Sequence, residues 1–105
     1  MIEEISPEEL QTRLASAEAP VVLDVREPYE LESARLPGTT DIPMNQVPQR
    51  LAELDPARPL VVLCRSGGRS RNVANFLLQH GFQKVANLSG GLLAWAERID
   101  PSLRP

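Results

Sequence analysis

The chain's single cysteine stands in the run Cys64-Arg65-Ser66-Gly67-Gly68-Arg69-Ser70. An apolar run, Leu60-Val61-Val62-Leu63, precedes it, and a helical pattern follows. That order predicts a strand that delivers one thiol into a tight Gly-rich turn opening a helix. Backbone N–H groups of such a turn converge on one point, and the helix N-terminus adds roughly half a positive charge. A thiol in such surroundings falls from a pKa of about 8.5 to between roughly 3.5 and 7.5, and the thiolate is the nucleophilic form. Cys64 is therefore predicted to be a nucleophile that carries a group, with the backbone of residues Arg65, Ser66, Gly67, Gly68, Arg69 and Ser70 as an anion cradle. The glycines suit a turn that needs positive φ and close approach of backbone to ligand. Arg69 is badly placed for the macrodipole unless an anion sits in front of it.

Each residue also has an ordinary structural account. Free cysteines are commonly buried and inert. Arg65 and Arg69 could hold the loop through salt bridges to Asp24 or Glu27. Ser66 and Ser70 suit helix caps. Asp24 and Arg26, at another strand end, read as scaffold tying adjacent loops. His80, the only histidine, lies before Gly81 at a helix end, and Trp95 reads as core.

The elements that must position this loop follow from local pattern. Ser6-Pro7-Glu8-Glu9 is a helix start, with Ser6 as N-cap, Pro7 at the first helical position and Glu9 three residues after the cap. Ile5 and Leu10 could form a hydrophobic staple, and Leu10 and Leu14 mark the buried stripe. Val21–Val25 reads as a buried strand, Pro28–Leu31 as a short helix, and Leu36-Pro37-Gly38 as a turn. Residues 40–43 form a short strand ended by proline. Val47, Leu51 and Leu54 predict an amphipathic helix closed by Asp55-Pro56. Leu60–Leu63 is the next strand. Val73, Phe76, Leu77 and His80 share one helical face, with Gly81 as C-cap. Val85–Leu88 reads as a last strand, after which Gly90-Gly91 turns into a helix carrying Leu92, Leu93 and Trp95.

Strands alternate with helices and are apolar throughout, which predicts an α/β domain: a mostly parallel central sheet with helices on both faces. Ligands of such sheets bind beyond the carboxyl ends of strands, where Cys64, Asp24, Arg26 and the Gly90-Gly91 turn all fall. The 105 residues predict one domain, 1–105, with an ordered core of about 3–98 and a short fraying tail, 99–105. A net charge of −3 speaks against a general nucleic-acid binder, although Arg65, Arg69 and Arg71 crowd one segment. No run of apolar residues is long enough to span a membrane, and Met1-Ile2-Glu3-Glu4 does not open a signal peptide, so a cytoplasmic location is expected. One cysteine makes no internal disulfide, and no Cys/His cluster suits zinc.

Four segments, in order, resemble a single-domain rhodanese, a sulfurtransferase. Leu23-Asp24-Val25-Arg26-Glu27 is similar to the family's D-V-R strand end. Arg35-Leu36-Pro37-Gly38-Thr39-Thr40-Asp41-Ile42-Pro43 resembles its H-I-P-G-A-x-x-I-P segment. Cys64–Ser70 is similar to its active loop, C-R-x-G-x-R-S. Val85–Gly91 followed by Trp95 resembles its closing L-x-G-G-x-x-x-W. The chain departs at Ala34-Arg35, where the family often has Gly-His. The resemblance implies a rhodanese-like fold and a thiosulfate sulfurtransferase. Cys64 would attack the outer sulfur of a donor such as thiosulfate and become a persulfide. The sulfur would pass to cyanide, a thiol or a protein acceptor. Arg65 and Arg69 would orient the donor, and no metal or organic cofactor is implied.

Two other classes compete. A cysteine phosphatase or arsenate reductase also sets a Cys loop before a helix, but the phosphatase arginine follows five intervening residues. Here Arg69 comes one residue sooner and Ser70 holds that position, a smaller cradle suited to one sulfur. A non-enzymatic persulfide carrier or partner-docking module differs only in what feeds it. With one cysteine, the persulfide has no internal resolving thiol, so the acceptor is external.

Overall fold

Three largely apolar four-residue runs build the middle of the sheet. In the computed structural model, which describes residues 2–105, they are β2 (Val21–Asp24), β4 (Leu60–Leu63) and β5 (Val85–Leu88). Short edge strands complete it: β1 (Glu3–Ile5) beside β5, and β3 (Thr40–Asp41) beside β2. The order is β1-β5-β4-β2-β3, and every pairing is parallel. All carboxyl ends therefore share one rim.

The helices are α1 (Pro7–Leu14), α2 (Pro28–Ser33), α3 (Gly68–Gln79) and α4 (Gly91–Arg98). Alternation along the strands divides the core in two. Leu60, Val62 and Cys64 face the α3 side with Leu23, Val25, Val73, Leu77 and Val85. Val61 and Leu63 face the other side with Leu10, Val22, Leu88, Leu92 and Trp95. Cys64 thus leaves β4 pointing toward α3. The Ser6 cap forms, its hydroxyl oxygen accepting the Glu9 amide at 3.1 Å, and Ile5 and Leu10 are both buried on one side of the sheet.

The local structure departs from the sequence reading, or adds to it, at four places. β1 was hidden in the sequence by Glu3 and Glu4; it pairs Glu4 with Asn87 and Ile5 with Leu88. The helix expected through Val47, Leu51 and Leu54 is instead two 3₁₀ stretches, Met44–Gln46 and Pro48–Glu53. Pro48 has no amide to donate, and Arg50 sits off helical geometry at φ −117° and ψ 18°, although Val47 and Leu54 are still buried. Leu93 stays 37% exposed while Leu92 and Trp95 fill the core. The segment from Asp100 turns back: the Asp100 amide donates to the Trp95 carbonyl at 3.0 Å, and Leu103 packs against the α4 side of the core.

Candidate functional site

The Cys64 sulfur lies inside its own loop. The Gly67 amide donates to Sγ at 3.1 Å, the Ser70 amide at 3.4 Å and the Ser70 hydroxyl at 3.2 Å. Gly67 makes this possible as the α3 N-cap at φ 107°, a left-handed conformation that side-chain-bearing residues rarely adopt. Cys64 is also 1% exposed and belongs to the apolar cluster on the α3 side. Burial pushes its pKa up, but hydrogen bonds from the Ser70 hydroxyl and from the Ser70, Gly67 and Ser66 amides outweigh it and bring the thiol below its ordinary value. Cys64 is thus both buried in the core and hydrogen-bonded by its own loop. Ser70 does not cap the helix. Its hydroxyl goes to sulfur, while Ser66 is exposed.

The Gly90-Gly91 turn supports the loop from below. The Leu92 amide donates to the Cys64 carbonyl at 2.9 Å, and the Leu93 amide to the Arg65 carbonyl at 3.0 Å. The first turn of α4 thus satisfies two loop carbonyls. A Cβ on Gly91 would stand 2.5 Å from the carbonyl oxygens of Cys64 and Arg65, so only glycine allows this approach. From the side, the Asn87 amide group donates to the Gly67 carbonyl at 3.2 Å and to Glu4 at 3.0 and 3.2 Å. Glu4 also accepts from Ser89 and Arg71. Burial pushes the Glu4 carboxyl up, and these contacts outweigh it and hold the pKa below the usual carboxylate range.

The arginines are less free than their crowding suggests. Arg69 pairs with both Glu30 carboxylate oxygens, at 2.6 and 2.9 Å, rather than with Asp24 or Glu27. That contact lowers the Glu30 pKa to about 2. Arg71 pairs with Glu4 at 2.8 Å. Arg65 is exposed, and its side chain's one hydrogen bond among the described residues is a long one, 3.4 Å, to the main-chain oxygen of Pro105. Asp24 and Arg26 form a fully buried pair at 2.9 Å, and Arg26 also donates to the Glu30 and Ala34 carbonyls, so it ties the end of β2 to α2. Arg35 pairs with Asp41 on the surface. His80 closes α3, bonded to the Phe76 carbonyl and stacked on its ring.

A cavity of about 320 Å³ opens beside the loop, lined by Arg26, Tyr29, Glu30, Ser33, Arg65 and Pro105. Another, of about 360 Å³, lies at the opposite, amino ends of the strands near Pro20, Pro59 and Lys84, away from the thiol. Glu30, Asn87 and Glu4 were not singled out from the sequence. Asn87 had a signal, a polar residue inside a short apolar strand. Glu30 had a weaker one, since it stands three residues after Glu27, where it closes a capping box.

Residues 6–98 match the family model for the rhodanese-like domain. The chain belongs to the rhodanese-like family. It is 38% identical over 105 residues to a protein of Allochromatium vinosum named sulfurtransferase, covering 100% of this chain and 98% of that one. It is 36% identical over 99 residues to YrkF of Bacillus subtilis, named for sulfur carriage, covering 94% of this chain and 54% of the relative. The fold matches a crystal structure of a rhodanese-like domain protein from Staphylococcus aureus with a TM-score of 0.86 at 27% identity, over 98% and 97% of the two chains. Residues Cys64–Ser70 lead from the end of β4 into the first turn of α3, against the N-terminus of α4.

Proposed function

We propose that this protein is a sulfurtransferase that moves a sulfane sulfur from an anionic donor such as thiosulfate to an external thiol, to cyanide or to a protein acceptor. Cys64 is the carrier, and the backbone from Arg65 to Ser70 holds the charge on sulfur. The observation that carries this reading is the convergence of the Gly67 amide, the Ser70 amide and the Ser70 hydroxyl on one sulfur atom. In the first step the Cys64 thiolate attacks the outer sulfur of thiosulfate. A new S–S bond forms, the old one breaks, and sulfite leaves with the electron pair. The persulfide anion then occupies the site where donors converge. In the second step the acceptor's thiolate or carbon attacks the outer persulfide sulfur, and the Cys64 thiolate departs. A pre-ionised sulfur needs no general base, consistent with His80 being engaged at the far end of α3.

Intact mass after thiosulfate treatment, then after cyanide, tests this. The parent chain is expected to gain one sulfur and lose it again. Cys64→Ser is expected to gain none while remaining folded, and transfer near the parent rate in that variant would refute the carrier role. The likeness to YrkF supports a second reading, a carrier loaded by a protein. That reading predicts a Cys64 persulfide formed from a persulfidated protein but not from thiosulfate.

A further inference from the structure

Three arginines lie within or just after the loop, and carboxylates already claim two of them. Arg69 gives two guanidinium nitrogens to Glu30, whose side chain is only 12% exposed. Glu30 is itself fixed, because one of its oxygens also accepts the Glu27 amide at 3.0 Å and its carbonyl accepts from Arg26. Arg71 is taken by Glu4 on the edge strand. Among the described residues Arg65 is the one of these three with no carboxylate side chain against it; its guanidinium lies 3.4 Å from the main-chain oxygen of Pro105, on the wall of the 320 Å³ cavity that both share with Glu30 and the 70% exposed ring of Tyr29.

We propose that Glu30 sets the donor charge this site accepts: by neutralising Arg69 from the cavity wall that Glu30 lines, it biases the site toward monoanionic organic sulfane donors, such as thiosulfonates and small-thiol persulfides, over dianionic thiosulfate. This rests on the sulfur-transfer reading above and narrows its donor class. A compact dianion needs two positive charges or more for matched binding, and here it meets Arg65 and a Glu30–Arg69 pair whose charges cancel. A monoanion with an organic body finds its one charge matched by Arg65. It can lay that body in the cavity against Tyr29. Glu30 acts through Arg69 and is a positioning residue, not a catalytic one.

The test uses two donors that differ chiefly in charge, thiosulfate and methanethiosulfonate. Each reacts by loss of its oxidised sulfur group, sulfite from the first and methanesulfinate from the second, leaving the same Cys64 persulfide. The readout is the ratio of kcat/KM for thiosulfate to that for methanethiosulfonate, with cyanide as acceptor. The ratio divides out intrinsic reactivity and any loss of folded protein. Glu30→Gln keeps an oxygen for the Glu27 amide but removes the charge, and it should raise the ratio on the order of five- to tenfold at low salt, less at high salt. Arg69→Gln should lower it, and the double variant should return it close to the parent value. An unchanged ratio in Glu30→Gln overturns this inference while leaving sulfur transfer standing. Failure of the parent chain to take sulfur from either donor brings down both.

Discussion

Cys64 is held between two opposed effects. Burial disfavours its charge, and four donors from Ser66, Gly67 and Ser70 restore it. The Ser70 hydroxyl is the part of this balance that a single substitution removes cleanly. Ser70→Ala is expected to raise the thiol pKa, since the Ser70 hydroxyl is the largest of the hydrogen-bond effects that favour the thiolate. The thiolate fraction at neutral pH then falls, so sulfur uptake slows near pH 7 and recovers toward alkaline pH. Titration of the thiolate's ultraviolet absorbance checks it, and a midpoint equal to the parent's would contradict the role given to Ser70. The sequence singled out Cys64 because a lone thiol at a strand end before a Gly-rich helix start meets converging backbone amides. It left Ser70 ambiguous, because cap and sulfur ligand ask for the same residue at nearly the same place. Only the left-handed Gly67, which takes the cap position, separates them.

The loop's shape is decided by elements distant in the chain. The α4 N-terminus satisfies the Cys64 and Arg65 carbonyls, and Asn87 of β5 satisfies that of Gly67. Gly91→Ala would drive a Cβ into those carbonyls at a positive φ of 62°. It is expected to cost upwards of about 2 kcal/mol and to cut sulfur uptake at the same time, because relief of the clash moves the loop. Gly38→Ala is the control. Its φ of 80° is also strained, but no atom lies within 4 Å of the added Cβ. It should cost about 1 kcal/mol and leave uptake by the remaining folded protein unchanged. Denaturant midpoints read beside uptake rates distinguish the two, and equal losses of uptake would refute the coupling of α4 to the loop. Apolar runs revealed the inner strands because both faces of a parallel sheet are covered. β1 escaped notice because an edge strand tolerates glutamates. The segment 44–53 misled because its apolar spacing fits a helix while Pro48 and Arg50 interrupt the hydrogen-bond ladder.

At the scale of the molecule, carboxylate–guanidinium pairs join segments that the chain separates widely: Glu4 with Arg71, Glu8 with Arg98 and Glu30 with Arg69. Glu30 has a usual carboxylate value of 4.5 and a folded value of about 2. A depressed folded pKa contributes stability that is complete above the unfolded value and is lost as pH falls through the folded one. Stability is therefore expected to decline between about pH 4.5 and about 2, and Glu30→Gln should flatten that decline, as urea midpoints across the range would reveal. An equally steep acid slope in that variant would show that other carboxylates carry it. The fold class, the inner strands as apolar runs and the candidate sulfur could be read from the sequence alone, because they depend on residue type and near-neighbour spacing, whereas the order β1-β5-β4-β2-β3 could not. Tertiary structure decided which charges remain free at the rim, which glycines admit close approach and which hydroxyl meets the sulfur. Those depend on contacts between residues tens of positions apart, and no local pattern records which carboxylate reaches which arginine.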